Sequence, residues 1–358
     1  MKRILVITTR QIGDVLLTTP LVHAARTRWP EARIDVLGFK GTLGMLRGNP
    51  EVNALIETPA RLGIKGFWRL LLQLWRRYDL ALVAQPSDRA HLMGWVAAPL
   101  RSGIVPAKTS SGWWKTRVLR HAVTSQGDGS DKHVTVEKLA LLAPWMAAGP
   151  AVPHVLAPPP AALPEAVAQQ LRPGCIVVHA PSMWAYKQWP LTHFAAVVEA
   201  LLQQGRQVVL TGSASPRDQA CIAPLKALAA APQLLDVSGQ LDFAQLSALL
   251  GQAALYIGPD TSISHLAAAV GLPVIAIFGP TNPQRWAPWP ARAEAQQLFQ
   301  RSALVQQAGN VRLLQGRQAC VPCSHAGCED HVDSRSDCLN DITPERVLAQ
   351  VAEVLGPA

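Results

Sequence analysis

The stretch from 253 to 289 most constrains what this chain can fold into, because it encodes a buried strand, a polar loop, a short helix and a second strand in direct succession. Gly258 and the proline after it end the first strand. The helix predicted over 264–270 stops at Gly271, and 274–278 is a β-branched run typical of a strand that is covered on both faces. The pattern predicts a βαβ unit of a parallel sheet.

The loop of this unit carries the polar residues. Asp260, Thr261 and Ser262 are types that cap helix N-termini, and His265 falls one turn into the helix. In open parallel sheets ligands lie beyond the carboxyl ends of the strands, and free N–H groups at a helix start attract anions. We therefore expect a phosphate at this loop, with simple helix capping as the alternative. A second Gly-Pro loop at Gly279 would close the site.

Three segments resemble the bacterial ADP-heptose:lipopolysaccharide heptosyltransferases, glycosyltransferase family 9. Residues 258–289, GPDTSISHLAAAVGLPVIAIFGPTNPQRWAPW, are similar to the family's donor-binding signature. Residues 3–38, RILVITTRQIGDVLLTTPLVHAARTRWPEARIDVLG, are similar to its opening, and 179–201, HAPSMWAYKQWPLTHFAAVVEAL, to its central donor loop. The details are somewhat nearer to the heptosyltransferase III branch than to the first two enzymes.

The resemblance implies a GT-B fold, in which two facing doubly wound Rossmann-like α/β domains hold the active site in the cleft between them. The alternation of strand and helix patterns independently predicts mostly parallel sheets, and 358 residues suffice for two cores. Residues 101–133 are interpreted mostly as functional loop. The expected domains are an acceptor-binding domain over 1–149, a proline-rich linker over 150–165 and an ADP-sugar domain over 166–341. A last helix over 342–358 is expected to pack back toward the first domain.

The charge balance favours anionic partners. Lys and Arg number 33 against 24 Asp and Glu, a formal charge of +9, which suits nucleic acid, acidic lipid or a phosphorylated sugar. No nucleic-acid-binding motif is present, and no apolar run is long enough to span a bilayer. We therefore expect a cytoplasmic protein that binds a phosphorylated lipid or sugar and no nucleic acid. The resemblance implies that the partners are ADP-heptose and a lipid A-core oligosaccharide acceptor, and that the protein is peripheral on the inner membrane.

Sugar transfer from a nucleotide needs a base for the acceptor hydroxyl and cationic or hydrogen-bonding groups for the departing diphosphate. The resemblance assigns Asp14 as the general base of an inverting single displacement and Lys187 to the diphosphate. On the residue pattern alone, Asp14 is equally well a helix cap and Lys187 a solvated surface lysine. No Asp-x-Asp pair occurs, which favours a mechanism without a metal or other cofactor.

The other candidate site residues follow from the same two sources. The candidate donor-binding set is Ser182, Gly212, Ser213, Asp260, Thr261, Ser262 and His265. The candidate acceptor-binding set, on a basic and aromatic surface of the first domain that would suit a phosphorylated lipid, is Gly13, Arg61, Arg117 and Arg120. Within that surface, the helix predicted over 66–78 is either a crossover helix with a solvated basic face or a membrane contact.

The cysteines are unevenly placed, since four of the six lie in CVPCSHAGCEDHVDSRSDC. Cys320, Cys323, Cys328 and Cys338 are compatible with a structural Zn or Fe site, although reduced thiols are equally normal in cytoplasm. Two other functions stay open. One is a sugar-nucleotide epimerase or hydrolase of the same fold. The other is a non-catalytic ADP-sugar-binding protein, which would need neither Asp14 nor a basic acceptor face.

Overall fold

The computed structural model describes residues 1–107, 112–146, 152–228 and 232–356. The chain divides into two units, Met1–Pro158 with Glu294–Gln297 and Pro159–Ala293 with Leu298–Ala358. The division falls inside the stretch expected to be the linker, of which residues 150 and 151 lie outside the described residues.

The first unit is built on a parallel sheet. Its six described strands are β1 Arg3–Thr8, β2 Arg33–Phe39, β3 Ala54–Thr58, β4 Leu80–Val83, β5 Leu100–Pro106 and β6 His121–Ser125. The helices are α1 Ile12–Leu16, α2 Thr19–Arg28, α3 Ile64–Leu74, α4 Asp88–Ala97, α5 Gly112–Val118 and α6 Val134–Leu139. The sheet order is β3-β2-β1-β4-β5-β6, and β1 and β4 are buried on both faces because helices cover both sides.

The strand order of this sheet reverses between β1 and β4. Such a switch point leaves a crevice at the carboxyl ends of the two strands, where ligands of open α/β sheets bind. Thr9 directly follows β1, and Gln85 comes shortly after the end of β4. The Gln85 amide donates a 2.5 Å hydrogen bond to the Thr9 hydroxyl. Both side chains are buried, so this bond ties the two strand ends together.

The second unit repeats the architecture. Its strands are β7 Ile176–His179, β8 Val208–Thr211, β9 Leu234–Asp236, β10 Leu255–Pro259, β11 Val274–Phe278, β12 Val305–Ala308 and β13 Val311–Gln315. The order is β12-β13-β11-β10-β7-β8-β9, with only β12 antiparallel among the described strands. Its helices are α7 Glu165–Ala168, α8 Leu191–Gln203, α9 Pro216–Lys226, α10 Phe243–Leu250, α11 Ser262–Val270, α12 Pro283–Trp286, α13 Asp337–Asn340 and α14 Pro344–Leu355. The switch point lies between β7 and β10.

The last helix, α14, packs against its own unit. Its apolar residues Val347 and Val351 are buried in the core of the second unit, against α8 and the strands β10 and β11. This apolar stripe covers the sheet of its own unit, and the packing of the helix toward the first domain stays a prediction.

One correction concerns 101–133, which the sequence pattern led us to interpret mostly as loop. The structure places β5, α5 and β6 in the described part of this range, and β5 pairs in parallel with both β4 and β6. Polar residues interrupt the apolar pattern, because Ser102 is buried inside the sheet. In β6 the first three side chains are half-buried, Thr124 is exposed and Ser125 is buried.

Candidate functional site

The βαβ unit that dominates the sequence forms as predicted. β10 and β11 pair in parallel, and α11 between them begins at Ser262 with Thr261 as its N-cap in extended conformation. Thr261 makes no side-chain capping bond, and α11 ends at Gly271 in the left-handed region at φ 91°. The start of α11 therefore presents backbone N–H groups beyond the carboxyl end of β10, as an anion site requires.

Two charged residues meet across the switch point of the second unit. Lys187 follows β7 on a short 3-10 turn, and its Nζ lies 2.5 Å from Oδ2 of Asp260, which follows β10. Asp260 is 6% exposed and Lys187 21% exposed. The structure thus brings Lys187, Asp260, Thr261 and Ser262 together in one place, where a cation stands beside a helix N-terminus.

Ser182 and Gly212 lie on the same edge of the sheet. The Ser182 hydroxyl is buried and bonds the backbone of Trp184, so it shapes the loop that carries Lys187. A Cβ on Gly212 would lie 2.5 Å from the Cδ1 end of Ile222 and 3.3 Å from Pro181, so the loops after β7 and β8 approach each other closely at this glycine. Ser213 donates its backbone N–H to Asp218.

His265 lies in α11 and is buried, 6% exposed. The next polar group behind it is Ser264, whose hydroxyl donates to the carbonyl of Pro259 and contacts the hydroxyl of Tyr256. These bonds fix the backbone at the end of β10, and burial raises the pKa of Tyr256. Ser264 and Tyr256 therefore support the loop from behind, a role that their positions in the sequence did not suggest.

His179 ends β7 and is fully enclosed. Its Nδ1 lies 3.1 Å from the hydroxyl of Thr211 on β8. Burial lowers the pKa of His179 to about 4, so the ring is neutral near pH 7. It joins β7 and β8 below the loops and adds no charge to the site.

Asp14 lies in the first unit, in the first turn of α1. The N-cap of this helix is Gln11, so the alternative of Asp14 as the helix cap is wrong. Its carboxylate is 14% exposed and lies 3.7 Å from Nε of Arg10. A carboxylate held at the carboxyl end of β1, partly open to solvent, is suited to accept a proton from a bound hydroxyl.

A buried lysine supports this turn. Lys138 comes from α6, and its Nζ donates to the carbonyl oxygen of Asp14 at 2.7 Å and to the hydroxyl of Thr18 at 3.0 Å. Thr18 bonds the same carbonyl at 2.7 Å. Sequence reasoning missed Lys138, which lies 124 residues from Asp14 within an ordinary helical pattern. Its burial in the folded unit is the signal that identifies it.

The four candidate acceptor residues are spread over the first unit. Gly13 lies in α1, Arg61 is exposed ahead of α3, and Arg120 is exposed just after α5. Arg117 stacks over the ring of Trp113 at 5.5 Å. Among the residues that the structure describes, no hydrogen bond or ion pair joins any two of these four, so their common role stays a prediction.

The cysteine cluster is not assembled as a metal site. Across the described ranges, no three His, Cys, Asp or Glu side chains stand where they could hold a metal ion. The thiols are nevertheless neighbours, because burial and then the nearby Cys323, Cys320 and Cys328 raise the pKa of Cys338 to about 12. Elemental analysis of the purified chain is the measurement that decides whether this segment carries Zn or Fe.

The segment that contains these cysteines touches the loop of Lys187. The backbone N–H of Ala185 donates to the carbonyl of Val332 at 3.2 Å, and the Ser336 hydroxyl donates to the carbonyl of Tyr186 at 2.7 Å. The loop is thus fastened at the two residues directly before Lys187.

No helix in the described part of the chain combines the length and the apolar character needed to cross a membrane.

Comparison with known proteins gives consistent results. A sequence model described as "Glycosyltransferase family 9 (heptosyltransferase)" matches residues 67–315. The chain is 30% identical to lipopolysaccharide heptosyltransferase 3 of Escherichia coli over 290 residues, 77% of this chain and 83% of the relative. It is 26% identical to lipopolysaccharide heptosyltransferase 2 of Salmonella typhimurium over 99% of this chain and 98% of the relative.

A solved structure agrees with the observed fold. The structure of E. coli ADP-heptose lps heptosyltransferase II matches with a TM-score of 0.71 and 23% identity, over 99% of this chain and 98% of that one. The predicted fold class, two doubly wound α/β domains of the GT-B type, is confirmed.

Proposed function

Since the chain belongs to glycosyltransferase family 9, the heptosyltransferases, we propose that it transfers a heptose from ADP-heptose to the inner core of lipopolysaccharide. The proposal takes the donor and acceptor from the names of the relatives, of which a heptosyltransferase 3 shares 30% identity. The name of that relative identifies the acceptor as lipopolysaccharide and does not specify the acceptor sugar or the position of attachment. Family membership itself makes the chain a glycosyltransferase rather than a binding module.

The observation that carries the donor assignment is the ion pair of Lys187 and Asp260 at the switch point of the second unit. A diphosphate placed at the start of α11 would accept hydrogen bonds from its first backbone N–H groups. The Lys187 ammonium is within reach of the same place, and it would exchange part of its interaction with Asp260 for the phosphate oxygens. We accordingly assign the donor to the second unit.

The reaction that fits these groups is a single displacement. The acceptor hydroxyl attacks the anomeric carbon, the bond from that carbon to the diphosphate oxygen breaks, and ADP leaves with its negative charge. Asp14 takes the hydroxyl proton, and Lys187 with the start of α11 stabilises the leaving diphosphate. Attack from the face opposite the leaving group inverts the anomeric configuration.

The acceptor side rests on the basic surface of the first unit. Arg61, Arg117 and Arg120 are exposed, and exposed guanidinium groups bind the phosphates of a lipid A-core oligosaccharide. We assign Gly13, next to Asp14 in the chain, to the acceptor side of the base. Because such an acceptor is anchored in lipid, we propose that the protein is peripheral on the cytoplasmic face of the inner membrane.

The test is a transfer assay combined with calorimetry. Purified protein is mixed with ADP-heptose and with lipopolysaccharide core acceptors that lack successive heptoses, and products are identified by mass spectrometry. Binding of ADP and ADP-heptose is compared with binding of UDP-hexoses. Heptose addition to one acceptor, and tighter binding of the adenine nucleotides, support the proposal. Equal binding of UDP-hexoses together with no heptose transfer would remove it.

A further inference from the structure

Helix α3 carries apolar residues on its outer side. Ile64 is 79% exposed, Trp68 61%, Leu72 70% and Trp75, which directly follows the helix, 58%. Spacings of four and three residues place these side chains on one face of a helix. A crossover helix with a solvated outer face would carry polar residues on that face. The exposed apolar residues of α3 therefore do not fit a solvated crossover helix, which the sequence left open as one interpretation.

The inner side of α3 packs into the core of the first unit. Leu70, Leu71 and Leu74 are buried in the core of the first unit together with residues of α4. The outer apolar residues are therefore additional to those that fold the helix onto the sheet. Contiguous exposed apolar surface of this kind marks an interaction site.

Basic residues border the outer face. The segment 61–78 contains Arg61, Lys65, Arg69, Arg76 and Arg77 and no Asp or Glu. All five cations are exposed. Along the helix, Lys65 and Arg69 each come directly after an exposed apolar residue, so the cationic row runs beside the apolar row.

The neighbouring helices α4 and α5 also expose large apolar side chains. Trp95 on α4 is 50% exposed and Trp113 on α5 64%. A cavity of about 500 Å³ beside Ile64 is lined by Phe67 and Leu92, among other side chains of α3, α4 and α5. Four exposed tryptophans on these three helices and their ends give a set of side chains that prefer the boundary between lipid and water.

We propose that this surface, defined as the outer face of α3 with Trp75, Trp95 and Trp113, docks the protein onto an anionic phospholipid bilayer. The apolar row enters the headgroup region while the cationic row contacts the lipid phosphates. Charge complementarity selects the bilayer: a segment with five cations and no acid meets a uniformly negative surface. The inference rests on the proposed function, whose acceptor is lipid-anchored, and identifies the part of the chain that reaches the lipid.

Vesicle co-sedimentation tests the proposal, with the full chain and vesicles of phosphatidylcholine containing about a third phosphatidylglycerol. Wild type is expected to bind these vesicles, to bind pure phosphatidylcholine more weakly, and to lose affinity as NaCl rises from about 0.05 to about 0.5 M. Trp68→Ser with Leu72→Ser is expected to weaken binding by about tenfold or more. Both side chains are exposed, so these changes leave the fold intact.

Matched variants in the second unit are the controls. Leu304→Ser with Val332→Ser removes comparably exposed apolar residues and is expected to leave vesicle binding unchanged. For the charges, Lys65→Glu with Arg69→Glu is compared with Arg172→Glu and Arg335→Glu, which are also exposed. The first pair is expected to weaken binding by about tenfold and the second by less than about twofold.

Transfer to a deacylated, water-soluble acceptor separates this inference from the proposed function. Trp68→Ser with Leu72→Ser is expected to keep wild-type transfer in that assay while losing vesicle binding. Vesicle binding without any heptose transfer would contradict the proposed function and support the docking surface. Equal vesicle binding by wild type and this variant would overturn the inference. So would wild-type self-association, measured by analytical ultracentrifugation, that the same variant abolishes in the absence of vesicle binding.

Discussion

Lys187 Nζ lies 2.5 Å from Asp260 Oδ2, which joins the loop after β7 to the loop after β10 across the reversal in strand order of the second unit. The two residues are 73 positions apart. A buried carboxylate that holds an ammonium in place reduces the freedom of the lysine before a diphosphate arrives. The pair therefore links the backbone geometry of the sheet to the proposed chemistry of the donor.

The first prediction concerns Lys187. Lys187→Ala is expected to weaken the binding of ADP and ADP-heptose by about tenfold to a hundredfold, because a charge-assisted contact to phosphate is lost. Isothermal titration calorimetry measures the effect. Lys226→Ala is the matched control, since Lys226 also lies 2.5 Å from a carboxylate of the second unit, that of Asp236. Equal losses in both variants would contradict a specific role for Lys187.

The second prediction concerns Asp14. Asp14→Asn is expected to lower kcat by about two to four orders of magnitude, while ADP-heptose affinity stays within a few-fold, because only the proton acceptor is removed. Asp242→Asn is the control. Asp242 caps α10 by accepting from the backbone of Gln245, and asparagine caps about as well. A stably folded Asp14→Asn enzyme that turns over near the wild-type rate would exclude Asp14 as the base.

The third prediction concerns Lys138, which we interpret as a positioning residue because it bonds the backbone of Asp14. Lys138→Met is expected to lower kcat by about tenfold or more with little change in the KM for ADP-heptose, and to destabilise the first unit by about 1–3 kcal/mol. Lys115→Met is the comparison, because Lys115 is equally buried and donates to the carbonyl of Pro86, and its ion pair with Asp88 lies apart from Asp14 in the sequence. If both variants lose the same stability and the same kcat, Lys138 has only a structural role.

The fourth prediction follows from the lowered pKa of His179. Well above pH 6.5 the ring is neutral in the folded and the unfolded chain, so its full contribution to stability is present. As pH falls from 6.5 toward 4, the unfolded chain binds a proton that the folded chain excludes, and the free energy of unfolding falls by about 3 kcal/mol.

Denaturant unfolding of wild type and His179→Gln across this pH range measures the effect. The variant is expected to lose less stability between pH 6.5 and 4 than wild type does. His331→Gln, at an exposed histidine of the same unit, is expected to behave as wild type. A wild-type profile that does not steepen in this window would show that the folded chain takes up the proton on His179.

Local patterns explain why the strand, loop and helix of the candidate donor site were predicted. The strand, loop and helix from Leu255 to Val270 are contiguous, and the residues that cap or bind at a helix start are few in kind. The local sequence is therefore enough to indicate Asp260 and Thr261, and the family resemblance adds Lys187. That these residues meet at the switch point depends on the strand order, which is set by pairing between distant parts of the chain.

Long-range packing explains what was missed. Lys138 supports Asp14 only because α6 folds against α2, and nothing in its local sequence marks it. The strands β12 and β13 and the strands within 101–133 are short or carry polar residues, so alternation does not reveal them. The outward apolar face of α3 was also hidden, since residue spacing places two apolar faces on the helix but does not say which one the sheet covers.

The two hydrogen bonds that join Val332 and Ser336 to the backbone of 185 and 186 have a consequence for how the protein can vary. Through these bonds the cysteine-bearing segment supports the turn that carries Lys187. At the proposed donor site, alkylation, oxidation or deletion within that segment would therefore change nucleotide affinity by shifting the turn that carries Lys187. Substitutions at the surface of this segment are tolerable only where they leave these two hydrogen bonds in place.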